Sequence, residues 1–213
     1  MPKNADPLLQ TALERLAVPG ILIGHRFVAP GDECALMSQE TVATWPKEAR
    51  RRSGAARSVA RELLGRAGYR AAAVPKAPTG APSWPPGIVG SLAHDSQVAV
   101  AAIAPECDFA AIGIDVEPAE VPPRELVTTI ATPSEQDSLH AYLYGGRLLF
   151  AAKEAVYKAV ADLDEIFLEH HDVEINFAKH SASVPNGRTV ELRFCVCNRL
   201  LALAFIRRAP TIK

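Results

Sequence analysis

Glu154 and Lys158, in the stretch FAAKEAVYKAV (150–160), stand four residues apart, and Phe150 lies four residues before Glu154. On a helix these three project from one face. An acid and a base so placed form either an exposed ion pair worth a few tenths of a kcal/mol or a site that holds a cation and an anion together. Asp115 and Glu117, in IGIDVEP, alternate with Ile114 and Val116. On a strand both carboxylates leave one face while the aliphatic pair packs the other. Two acids on one face invite a cation, although a solvated strand edge reads the same way. A hard divalent ion such as Mg2+ takes carboxylate, phosphate and water oxygens, and Glu154 is the candidate third carboxylate. His94, in GSLAHD, follows Gly90 and Ser91 at the end of a Pro/Gly-rich loop. It reads as a surface histidine or, beside a phosphate, as a donor to its oxygens.

The charge distribution supplies a possible counterpart. The net charge is −1, so no overall basicity points to nucleic acid or to a membrane surface. Between Lys47 and Lys76, however, nine Lys/Arg (Lys47, Arg50, Arg51, Arg52, Arg57, Arg61, Arg66, Arg70, Lys76) face only Glu48 and Glu62. Such a window is either a local anion-attracting surface or a solvated helix face. The N-terminus has no basic region leading into an apolar run, and no stretch is apolar enough for a membrane span. Cys34, Cys107, Cys195 and Cys197 contain no CxxC pair and read as free thiols of a reducing cytoplasm. A chain of 213 residues that is 48% apolar can bury one large core or two small ones.

The elements that must position these residues follow from periodicity and breakers. GILIGHRFV (20–28) reads as a buried strand and residues 46–67 as a helix with Pro46 near its first turn. KAPTGAPSWPPG (76–87) forbids regular structure, as an ordered loop or a linker. VAVAAIA (98–104) and AAIGIDVE (110–117) read as a strand pair turning around Pro105, Glu106 and Asp108. A helix is predicted from about Arg124, and Thr132-Pro133-Ser134-Glu135 is a capping box with Pro at N1. The longest helix of the second half is predicted over 147–162, with an apolar stripe of Leu149, Ala152, Val156, Ala159 and Leu163 that leaves Glu154 and Lys158 on another face. DVEINFA, TVELRFCV and RLLALAFI read as strands, with a turn at Pro185-Asn186-Gly187. Both halves join a helix to strands, which suggests an α+β fold of two similar lobes, 1–118 and 119–213, around a cleft near residue 118.

GSLAH (90–94), IGIDVE (112–117) and FAAKEAVYKA (150–159), in this order, resemble the three signature motifs of the 4′-phosphopantetheinyl transferases. The resemblance is to the siderophore and secondary-metabolite type, like enterobactin synthase component D, and runs from about Arg50 to Lys158. It implies a two-lobed pseudo-dimer, the 4′-phosphopantetheinyl transferase fold, in one cytoplasmic, monomeric chain. It also implies transfer of the phosphopantetheine arm of coenzyme A to a serine of an apo acyl, peptidyl or aryl carrier protein, with release of 3′,5′-ADP. The carriers would be proteins or domains of polyketide, nonribosomal peptide or fatty acid synthases, with no nucleic acid and no membrane. By the resemblance, Asp115, Glu117 and Glu154 hold Mg2+ (or Mn2+) with the pyrophosphate, while Ser91, His94 and Lys158 hold phosphate oxygens. Arg57 and Lys76 reach the nucleotide's 3′-phosphate, helped by Arg50 or a neighbour in Arg50–Arg52. Glu154, directly or through water, takes the serine proton, and Lys158 stabilises the leaving phosphate. Lys153 would hold the carrier or coenzyme A, or be solvated. Two positions depart from the family: Ser53 stands for its usual phenylalanine, and Ala93 for the Ser or Thr before the histidine. A non-catalytic module that binds coenzyme A or a carrier is the alternative that the residues leave open.

Overall fold

The computed structural model describes residues 6–41, 44–70, 72–164 and 166–209. The start of the N-terminal stretch read above lies outside them. In chain order the elements are α1 (Pro7–Arg15), β1 (Leu22–Phe27), α2 (Lys47–Arg66), β2 (Ile88–His94), β3 (Val98–Pro105), β4 (Phe109–Pro118), α3 (Arg124–Ile130), α4 (Pro133–Leu139), α5 (Gly145–Asp164), β5 (Glu174–Asn176), β6 (Ser181–Ser183), β7 (Thr189–Val196) and β8 (Arg199–Arg207). Short 3-10 turns lie at Asp32–Ala35, Ser38–Glu40 and His170–Asp172.

The strands form two antiparallel sheets, one of three strands in the order β1-β3-β2 and one of five in the order β4-β8-β7-β6-β5. The fold is thus α+β, with α2 across the first sheet and α5 across the second. Each is a 20-residue helix. The likeness between the halves lies in that helix-on-sheet arrangement, since the strand numbers differ. GILIGHRF forms a strand as expected, but at a sheet edge, where β1 is half-buried; the wholly apolar β3 takes the centre.

β3 and β4 are not a hydrogen-bonded pair, contrary to the sequence expectation. Their tight turn, in which Asp108 N–H donates to the Pro105 carbonyl, crosses from one sheet to the other. The reason lies in β8, whose run RLLALAFIR is buried from Leu200 to Ile206. A strand buried on both faces is a central strand, with a neighbour at each edge; β7 supplies one and β4 the other. β4, which the sequence assigns to the first lobe, therefore belongs to the second sheet, and a division at 118 parts it from the β8 strand it pairs with. Pro/Gly-rich residues 76–87 are an ordered loop rather than a linker, tied by a bridge between Lys76 and Pro82 and by Ser83 N–H to the Pro75 carbonyl at 2.8 Å.

The two sheets share a core in which Leu9, Leu13, Ala102, Ile112, Ile114, Leu201 and Phe205 pack together. Beneath α5, Leu148, Leu149, Ala152, Ala155 and Val156 meet Leu192, Leu200 and Ala202. Each fully buried leucine or valine there contributes about 1.5–3 kcal/mol. At the α4 start Thr132 and Glu135 make the predicted capping box. Glu135 is 2% exposed, and its other oxygen accepts from Ile175 N at 2.7 Å.

Candidate active site

β4 and α5 bring the two acidic motifs face to face. Along β4, Ile112, Ile114 and Val116 turn into the core between the sheets, while Gly113 meets α5. The same alternation places Asp115 and Glu117 on the α5 side. A methyl group added at Gly113 would lie 1.8 Å from the Ala155 carbonyl oxygen, so only glycine admits the helix backbone this closely. That approach sets Lys158 Nζ at 2.6 Å from Asp115 Oδ1 and at 3.3 Å from the Ile114 carbonyl. Asp115 is 6% exposed, which overturns the solvated-edge reading.

The electrostatics follow from that crowding. Burial pushes Asp115's carboxyl above the ordinary aspartate range, against the pull of Lys158, and the Glu154 charge adds to the rise. Its Oδ2 is buried without a hydrogen-bond partner. Burial and the Asp115 charge raise Glu117 to about 7, although Arg147 Nη1 lies 3.3 Å from its Oε2. Two carboxyls each raised by burial and by a neighbouring acid, one with an orphaned oxygen, are short of positive charge. Their donor chemistry fits a hard divalent cation. Among the described residues, however, no three His, Cys, Asp or Glu side chains are grouped to hold a metal ion. Lys158 sits on Asp115 instead, and Glu154 faces His170 Nε2 at 3.4 Å.

A cavity of about 390 Å³ opens beside Asp115 and Lys158, and its wall includes His94, Arg57, Lys76, Trp45 and Ser53. Its α2 side is one helical stripe, Ala49, Ser53, Ala56 and Arg57. Arg57 is 6% exposed; its Nε donates to the Val74 carbonyl at 2.8 Å and its Nη1 to Ser53 Oγ at 2.5 Å. Ser53 thus orients the arginine. Lys76 Nζ lies 5.1 Å over the Trp45 ring. His94 ends strand β2 rather than a loop. Desolvation at the cavity wall, then the charges of Arg52 and Lys158, hold its imidazole below the ordinary histidine value even though the residue reaches solvent.

Other expected residues fall elsewhere. Ser91 is 3% exposed, and strand alternation turns it away from His94; it does not line the cavity. Arg50 and Arg52 flank the α2 stripe, and each has a buried Nε with no hydrogen-bond partner. Arg51 points away and binds Glu33 and Glu48. Arg61 is structural, with Nη1 on both oxygens of Glu40. Glu154 lines a second cavity, of about 450 Å³, with Lys153, Tyr157, Phe167, Leu168 and His170. Lys153 is not solvated: it is 1% exposed and donates to the Ile130 and His170 carbonyls, both at 2.8 Å, while pairing with Glu135 at 2.8 Å. Trp45 and His170 carried no periodic signal; an aromatic residue just before the basic helix was the only hint of the first.

Two family models match the chain on either side of the turn between the sheets. One, described as 4′-phosphopantetheinyl transferase N-terminal domain, matches residues 38–104. The other, described as 4′-phosphopantetheinyl transferase superfamily, matches residues 111–203. The chain is 34% identical over 179 residues to the 4′-phosphopantetheinyl transferase Npt of Nocardia iowensis, covering 82% of this chain and 81% of that protein. It is 34% identical over 161 residues to the 4′-phosphopantetheinyl transferase Svp of Streptomyces mobaraensis, covering 71% and 65%. A shorter match, 37% over 87 residues and 38% of this chain against 36% of the other, is to enterobactin synthase component D of Salmonella typhimurium.

Proposed function

Since the chain belongs to the 4′-phosphopantetheinyl transferase superfamily and is a transferase of that type, we propose that it moves the phosphopantetheine arm of coenzyme A to a serine of a carrier protein. We propose further that the transfer depends on Mg2+ and releases 3′,5′-ADP. The observation that carries this reading is the single cavity into which Arg57, Lys76, His94, Asp115 and Lys158 converge from four elements and a loop.

Coenzyme A presents a 3′-phosphate, a pyrophosphate and an uncharged arm. Arg57 and Lys76 receive the 3′-phosphate, with Arg50 or Arg52 adding charge at the rim. His94 and Lys158 hold pyrophosphate oxygens, where charge-assisted hydrogen bonds are strongest. The arm is assigned to the second cavity, whose wall carries Tyr157, Phe167 and Leu168 beside Glu154. Asp115, Glu117 and Glu154 would hold Mg2+, with Mn2+ as a substitute. When bound, that ion supplies charge neutralisation on the phosphate oxygens and lowers the barrier to in-line displacement. Lys158, which pairs with Asp115 in the free protein, would serve the phosphate and leave that carboxylate available as a ligand. Glu154 accepts the serine proton, directly or through water, as the serine oxygen bonds to the β-phosphorus. The bond from that phosphorus to the bridging oxygen breaks, and Lys158 stabilises the charge left on the nucleotide's phosphate. The carriers are those of polyketide, nonribosomal peptide or fatty acid synthases.

The test is to incubate the protein with coenzyme A, Mg2+ and a panel of apo acyl, peptidyl and aryl carriers and to weigh the products. One carrier should gain the mass of one phosphopantetheine, and EDTA should prevent it. No gain on any carrier with Mg2+ present overturns the reading.

A further inference from the structure

Glu154 is held differently from the other two carboxylates. Asp115 is fixed by Lys158 and Glu117 by Arg147, but among the described residues the only ion pair or hydrogen bond to Glu154 comes from His170. A glutamate side chain on a cavity wall has several torsions to lose, so a group that must meet one reacting proton needs a partner to limit its rotamers. His170 is unusually well placed to be that partner, because one stretch of α5 grips it in three ways. Phe150 stacks on the imidazole, with centroids 5.7 Å apart and planes at 21°. Lys153 Nζ holds the His170 carbonyl oxygen at 2.8 Å. Glu154 Oε1 lies 3.4 Å from Nε2, and that nitrogen is buried with no hydrogen-bond partner.

Lys153 anchors the backbone of this arrangement deep in the lobe. Its ammonium also takes the Ile130 carbonyl and Glu135, and Glu135 in turn accepts from Thr132 N at 2.8 Å and Ile175 N at 2.7 Å. The end of α3, the start of α4, β5 and the His170–Asp172 turn are therefore joined at one buried pair, and the imidazole projects from that junction toward Glu154.

From this geometry we infer that His170 is a positioning residue for Glu154. Its ring is set by Phe150 and its backbone by Lys153, and its Nε2 limits the rotamers of the Glu154 carboxylate. The inference rests on the transferase reading, in which Glu154 touches the serine proton and the metal. The bland counterpart is an imidazole that only fills the cavity wall.

Three variants separate these. His170→Phe keeps the ring on Phe150 but removes the nitrogen; His170→Gln returns an N–H donor without the ring; His170→Ala removes both. Loss of an outer partner of a metal-ligating group typically costs roughly 10- to 100-fold in affinity or activity. His170→Phe should therefore lower kcat by about tenfold or more, at an unchanged Tm. Calorimetry with Mn2+ and coenzyme A, without carrier, should show a weaker metal for His170→Phe. His170→Gln should recover most of both losses, whereas His170→Ala should recover neither. On a Glu154→Gln background, His170→Phe should cost nothing further. Wild-type kcat and metal affinity in His170→Phe, or losses that multiply with Glu154→Gln, would overturn the positioning role. Failure of the wild-type protein to load any carrier would instead overturn the transferase reading, and the carrier-free metal titration would still decide whether His170 acts on Glu154.

Discussion

At the scale of single residues, the cavity's cations are not equivalent. Arg57 spends Nε and Nη1 on Val74 and Ser53, whereas Lys76 is exposed and lies over the Trp45 face and against its own loop. Lys76→Ala should therefore weaken coenzyme A far more than 3′-dephospho-coenzyme A, by about 1.5–3 kcal/mol for a lost charge-assisted contact, at an unchanged Tm. Arg57→Ala should show the same ligand preference together with a lower Tm, because the Val74 carbonyl loses a buried donor. Isothermal titration of both ligands with a thermal melt of each variant checks this; equal losses for both ligands would place the residues away from the 3′-phosphate. The acids divide by role in a similar way. On the proposed roles Asp115→Ala removes a metal ligand, so excess Mg2+ or Mn2+ should return part of its rate. Glu154→Gln keeps an oxygen ligand but cannot take the proton, and its kcat should fall on the order of 10²- to 10⁴-fold and stay low at saturating metal. Single-turnover rates across a metal titration distinguish them; full recovery of Glu154→Gln would make Glu154 a ligand only.

At the scale of elements, the site depends on how closely α5 lies on β4. Gly113 is the position that permits it, since a Cβ would meet the Ala155 carbonyl oxygen at 1.8 Å and Ala159 N at 2.8 Å. Both are backbone atoms of the helix that carries Glu154 and Lys158, so neither can swing aside as a side chain would. Gly113→Ala should push the helix outward and destabilise the fold by about 1–3 kcal/mol or more. The displacement would lengthen the contact between Lys158 and Asp115, so transfer should fall more than the folded fraction does. Denaturant melts alongside single-turnover rates measure the two. An alanine variant of wild-type stability and rate would show that the helix approach is not what sets the pair.

At the scale of the whole molecule, the cleft stores unfavourable negative charge. Asp115 and Glu117 bind protons more tightly folded than unfolded, Glu117 with a value raised from 4.5 to about 7. Where the folded state holds the extra proton it gains stability, and that gain is lost as pH rises from the unfolded value through the folded one. Metal-free protein should thus lose on the order of 1–3 kcal/mol between about pH 5 and pH 8 through Glu117. Mg2+ should raise Tm more at pH 8 than at pH 5.5, since protons no longer compete for the carboxylates. Differential scanning calorimetry with and without EDTA, repeated on Glu117→Gln, checks both; an Mg2+ effect equal at the two pH values would separate the ion from these acids.

The sequence by itself determined the residues whose chemistry is local. The alternation of Asp115 and Glu117 and the four-residue step from Glu154 to Lys158 follow from strand and helix periods that need no partner. So do the capping box at Thr132–Glu135 and the irregular course of 76–87, whose order rather than a linker's freedom was decided by the fold. The order of three motifs was enough to indicate the family. What only the tertiary structure decided is what those side chains face. Lys153 and Lys158 sit on the same helix, yet Lys153 is sealed against Glu135 and two carbonyls while Lys158 reaches a cavity. Arg51 and Arg52 are neighbours, yet Glu33 and Glu48 claim the first, and the second's charge reaches His94. β4 left its sequence neighbour β3 for β8, 80 or more residues away, because a strand buried on both faces required a second neighbour. Spacing fixes the direction in which a side chain leaves its own element, while burial and partnership depend on surfaces distant in the chain. For that reason His170, with no periodic pattern of its own, became visible only once the fold had set it against Phe150, Lys153 and Glu154.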